Sequence, residues 1–120
     1  MSLAFRLELL ESSNTINTET KKSLERVIEI FKNKYSIELV EENGSMMITH
    51  LAMAITRIKN GEPVKKISED VYEEILESEY FEKSKVIYED LQGVLDVVLP
   101  EDEKKYMVVN VCVILEMLNN

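Results

Sequence analysis

Apolar residues three and four positions apart recur through almost the whole chain. Leu24, Val27, Ile28, Phe31 and Tyr35 share one side of a helix, as do Met47, Leu51, Ala54, Ile55 and Ile58. Tyr106, Val109, Asn110, Val113 and Met117 repeat the pattern near the end. This spacing follows the 3.6-residue turn, whereas a half-buried strand alternates every second residue. Three glycines and two prolines in 120 residues leave few places to break helices. The pattern predicts an all-α bundle of five or six helices, formed as one compact domain over residues 1–120.

The boundaries follow from caps and breakers. A short first helix is expected from about Ala4 to Glu11, with Phe5, Leu7, Leu9 and Leu10 as its apolar surface. Asn17 or Thr18 can cap a second, because either side-chain oxygen accepts an orphan backbone N–H. Asn43-Gly44 is read as the next break, so the third helix is expected from Ser45 to Asn60, ended by Gly61 and Pro63. Ser68 is a candidate cap for a fourth helix carrying Tyr72, Ile75 and Leu76, and a further stretch from Tyr80 to Leu91 points Val86, Ile87 and Leu91 inward. Pro100-Glu101-Asp102-Glu103 opens the last helix, with carboxylates where the helix dipole favours anions. Met1-Ser2-Leu3 is the kind of start that a cloning scar leaves.

Charge and cysteine usage narrow the function classes. A net charge of −9 disfavours a direct nucleic-acid surface, which needs clustered Lys and Arg, and disfavours anionic membranes. No apolar run reaches the roughly 18–20 residues of a membrane span. The one cysteine, Cys112, permits no intrachain disulfide and suits a reducing cytoplasm. One histidine and one distant cysteine do not make a zinc site, and there is no glycine-rich phosphate loop or nucleophilic triad. No metal or cofactor is expected, nor an enzyme.

The chemistry therefore centres on His50, the single histidine. It stands in Ile48-Thr49-His50-Leu51-Ala52-Met53-Ala54-Ile55-Thr56-Arg57, beside the apolar stripe of the third helix. An imidazole there can donate a proton, bind a metal or accept a phosphoryl group. It can equally be an ordinary helix residue. Asn110 lies four residues after Tyr106 on an apolar face, where an amide marks a polar network or a subunit interface.

These segments together resemble the PTS regulation domain, a helical module that regulates sugar-operon antiterminators and activators in bacteria. The resemblance runs over nearly the full length. It rests on Ile16-Asn17-Thr18-Glu19-Thr20, on His50 followed by Leu51, Ala54 and Arg57, and on Leu99-Pro100-Glu101-Asp102-Glu103. Two positions depart from the family pattern: Thr49 stands where Asp often precedes the histidine, and Asn110 occupies the place of a second regulatory histidine.

The resemblance implies a regulatory domain with His50 as phosphoryl acceptor and the phosphocarrier HPr or a sugar-specific enzyme II as donor. Arg57 and Thr49 become candidates for holding the phosphate or supporting the helix; Arg57 lies about 10.5 Å along the axis from His50 by helix rise. A homodimer is expected, and the chain resembles the freestanding single-domain members or is an excised domain. The alternative is a constitutive dimerisation or protein-interaction module that is not phosphorylated, a reading that Thr49 and Asn110 both favour.

Overall fold

The computed structural model describes residues 2–62 and 69–119. Among these residues six helices follow in order: α1 (Leu3–Ser12), α2 (Thr18–Tyr35), α3 (Glu41–Lys59), α4 (Glu69–Leu76), α5 (Phe81–Gln92) and α6 (Glu101–Leu118). Among the described residues there is no strand, so the fold is all-α as the periodicity predicts. The segment from Ile37 to Val40 links α2 and α3 without regular structure. No described helix is long and apolar enough to cross a membrane.

Local chemistry sets the helix ends. Ser2 Oγ accepts the Phe5 N–H at 3.1 Å, and Asn17 Oδ1 accepts the Thr20 N–H at 2.8 Å. Ser36 terminates α2 in the left-handed region at φ 56°, which returns the Ile37 N–H to the Phe31 carbonyl at 2.8 Å. Gly61, at φ 71°, turns the chain after α3 as a glycine there should. The expected stop at Pro63 and cap at Ser68 lie outside the described residues.

One boundary differs from the expectation. Asn43-Gly44 does not break the chain, because α3 begins at Glu41 and runs through both residues. Asn43 works instead as a cap: its Oδ1 accepts the Val40 N–H at 2.8 Å and its Nδ2 donates to the Glu38 carbonyl at 3.2 Å. Gly44 is there for close approach. A Cβ at that position would stand 3.2 Å from Leu3 Cδ1 and 3.3 Å from Leu39 Cβ, so its absence lets α1 and the linker lie tight against α3.

The core is built around α6, which packs against α3, α4 and α5. Leu24, Val27 and Phe31 of α2, Leu51 and Ile55 of α3, and Ile87 and Leu91 of α5 are fully buried. The inward face of α6 carries Met107, Val108, Val111, Cys112, Ile114 and Leu115. This corrects the stripe read from sequence: Val109 is only half-buried, and Val113 and Met117 are exposed. Ile28 is half-buried and Val86 exposed, against their expected inward placement. In α6 nearly every position from Met107 to Leu115 is apolar, so periodicity alone could not select the side that neighbours cover.

A break near Ser78 separates α4 from α5, where the Ser78 N–H bonds to the Ile75 carbonyl at 3.0 Å and the Phe81 N–H to the Ser78 carbonyl at 3.1 Å. Cys112 is buried beneath this corner, 3.3 Å from Ser78 Oγ, and burial pushes its thiol pKa up. A raised pKa and lack of access both suppress thiolate chemistry. A disulfide reagent should therefore leave Cys112 unmodified in the folded protein and react fully after denaturation. Rapid reaction without denaturant would contradict this placement.

Candidate functional site

His50 lies midway along α3, preceded by buried Ile48 and followed by buried Leu51. Its helix is fixed by those neighbours, which leaves the imidazole at the margin where α3 meets α6. The side chain keeps 19% of its surface accessible. Its Nε2 stands 2.9 Å from Glu103 Oε2. One ring face is covered by Tyr106, with centroids 3.7 Å apart and planes inclined by only 16°. A hydrogen bond at one edge and a stacked ring on one face restrict the imidazole to one orientation.

The partners come from a single face of α6, because residues three and four apart on a helix align. Glu103, Tyr106 and Asn110 make that column. Glu103 occupies the first turn, where the dipole favours a carboxylate, yet its side chain is only 2% exposed. Deeply buried carboxylates are uncommon unless paired, and here the partner is His50. Asn110 is also buried, and its Nδ2 donates to the Tyr106 carbonyl at 3.0 Å. Asn110 thus holds the backbone beneath the ring that stacks on His50.

The other two candidates make no hydrogen bond to the imidazole. Thr49 faces α1, where its Oγ1 accepts from Arg6 Nη1 at 3.4 Å. Arg6 also forms a bidentate pair with Glu41, through Nε at 3.0 and 3.2 Å and through Nη2. That pair holds the Glu41 carboxyl below its ordinary value and fastens α1 to the start of α3. Arg57 is half-buried two turns along α3, and neither a hydrogen bond nor an ion pair joins it to His50. Among the described residues, no cluster of three His, Cys, Asp or Glu side chains is placed to hold a metal.

Glu103 and Tyr106 are site residues that the sequence alone does not mark. Glu103 is one of 23 acidic residues and sits in a run that reads as a solvated helix start. The usable signal was its spacing: three residues before Tyr106 and seven before Asn110 place it on their face.

Around the imidazole lies exposed apolar surface. Met46, His50, Met53 and Arg57 follow one face of α3 at spacings of four, three and four. Met46 is 72% exposed, and Met53 is exposed too. Met46 also shares a groove with Asn110, Val113 and Met117 of α6.

The family model described as PRD domain matches residues 25–111, which contain His50, Glu103, Tyr106 and Asn110. The Escherichia coli K12 protein titled Uncharacterized protein YhfY is 25% identical over 77 residues, covering 64% of this chain. The match likewise spans 64% of that relative's length. No solved structure matches the chain.

Proposed function

The chain belongs to the PRD domain family, regulatory domains linked to the sugar phosphotransferase system, and from this we propose that His50 is its phosphoryl acceptor. What supports the reading is the state of the one imidazole: accessible on its outer side, held by Glu103 and backed by Tyr106. A ring nitrogen attacks phosphorus with its lone pair while the bond from phosphorus to the donor breaks, the electron pair leaving with the donor. Such transfers need positioning and little else from the acceptor. The donor is HPr or a sugar-specific enzyme II, and the protein acts in the cytoplasm with them. It performs no catalysis of its own.

The reading is tested with His50→Gln, which keeps a polar side chain of similar reach. Incubated with the complete phosphotransferase relay and phosphoenolpyruvate, the natural chain is expected to take up label and the variant none. Equal labelling of both would place the acceptor elsewhere.

We propose also that the chain forms a homodimer through the face around His50. Exposed Met46, Met53, Val113 and Met117 flank the site, and flexible thioethers suit a surface that must repack. A phosphate brings nearly two negative charges to such a face and so shifts its association. Light scattering at high micromolar concentration should report a dimer, and Met46→Glu combined with Met117→Glu should give a monomer. A monomer for the natural chain under those conditions would overturn this assembly.

A second reading has one observation in its favour. Asn110 fills the second histidine position and serves structurally, as a donor to the Tyr106 carbonyl. A chain that had shed phosphorylation altogether would act as a constitutive interaction module on the same dimer face.

A further inference from the structure

We infer that Glu103 is the positioning residue of this site and that it makes Nδ1 of His50 the nitrogen that takes the phosphoryl group. The inference rests on His50 being the acceptor. A neutral imidazole has one N–H and one nitrogen lone pair, and only the lone pair can attack phosphorus. Which nitrogen has it depends on the hydrogen bond made by the other. An ionised carboxylate only accepts, so the hydrogen between His50 and Glu103 belongs to Nε2, and the lone pair belongs to Nδ1.

The approach to Nε2 is also closed. The lone pair of a ring nitrogen points outward in the ring plane, and at Nε2 that direction is filled by Glu103 Oε2 at 2.9 Å. A donor approaching Nε2 in line must first expel a carboxylate that is almost wholly buried. Tyr106 covers one ring face and resists the turn that would exchange the two edges.

Glu103 also matters during the transfer. As Nδ1 forms its bond to phosphorus, the ring gains positive charge, since it retains the hydrogen on Nε2. The carboxylate already bonded to that N–H stabilises the charge as it develops. The proton stays on Nε2, shared with Glu103, and the donor leaves with the electron pair of the bond it gave up. The same division of labour holds where a buried carboxylate orients a histidine that becomes charged.

The chain has a single histidine, so both nitrogens can be assigned without ambiguity in a long-range proton–nitrogen NMR spectrum of the full chain. With the imidazole neutral, the natural protein should show the hydrogen on Nε2. Glu103→Gln should show a mixture, because an amide either accepts from Nε2–H or donates to its lone pair. After reaction with the relay, phosphorus should couple to Nδ1, and Glu103→Gln should take up phosphate at least about tenfold more slowly. A hydrogen on Nδ1 in the natural protein overturns the positioning role, as does a variant with an unchanged tautomer. Phosphorus on Nε2 overturns the atom assigned. Absence of any phosphate, with the relay active on a control substrate, defeats the acceptor reading and the assigned atom with it. The tautomer still decides the role of Glu103 in that case, because it is read without phosphate and, in the natural chain, without any variant.

Discussion

Replacing His50 with alanine is expected to destabilise the domain by about 3 kcal/mol, a large effect for a partly exposed residue. The cause lies mostly in what the histidine leaves behind. Glu103 is buried in the first turn of α6, and its side-chain partner is His50 Nε2. Removing one member of a buried pair leaves a desolvated carboxylate that the protein must hydrate, neutralise or expel. The α6 dipole offsets only a fraction of this, roughly 0.3–1 kcal/mol. Loss of the Tyr106 stack adds about 0.5–1.5 kcal/mol in the same direction. A double variant separates the terms: His50→Ala with Glu103→Gln should be more stable than His50→Ala alone by about 2 kcal/mol, because an amide costs less to bury than an ion. Urea unfolding of the four proteins in the cycle measures it. A double variant no more stable than His50→Ala would mean that Glu103 is not held by the histidine.

Phe31→Ala should cost about 3–5 kcal/mol, the range for deleting an aromatic ring from a closed core. Phe31 is fully buried at 0% exposure, and its carbonyl receives the turn that ends α2. Phe5 provides the control. It is 52% exposed on α1, so Phe5→Ala should fall within roughly 0.5 kcal/mol of the natural chain. Thermal or urea unfolding of the two variants should rank them widely apart. Similar losses at both positions would contradict the packing of α2 against the core.

Helix count and type were legible in the sequence because their cause is local. Leu24, Val27 and Phe31 form an unbroken apolar stripe against a polar remainder, and α2 adopts it directly. Of the two residues that could cap α2, Asn17 does so and Thr18 is the first residue of the helix, and the acidic run at Glu101 starts α6. The sequence failed where a tertiary neighbour decides. Gly44 reads as a breaker until Leu3 and Leu39 are seen against it. The inward side of α6 depends on three covering helices, and from Met107 to Leu115 its own residues are apolar nearly all round.

The site divides the same way. His50 stood out because it is unique, and Asn110 because an amide interrupts an apolar stripe. Glu103 needed the fold, since only the docking of α6 on α3 sets one carboxylate of 23 against the imidazole. The family resemblance implies Arg57 and Thr49 as phosphate-site or structural support, and neither is hydrogen-bonded to the ring. Thr49 serves the α1–α3 junction through Arg6.

Phosphorylation of His50 is the central claim, and counting phosphates tests it most directly. The purified chain is incubated with the complete relay and phosphoenolpyruvate, and its intact mass is measured before and after brief acid treatment. The account predicts one added phosphate, lost in acid as a phosphorus–nitrogen bond should be, and no second, because the amide of Asn110 is not a nucleophile of comparable strength. An unchanged mass, from a relay shown to be active on a control substrate, would contradict the claim and leave the chain as a constitutive interaction module.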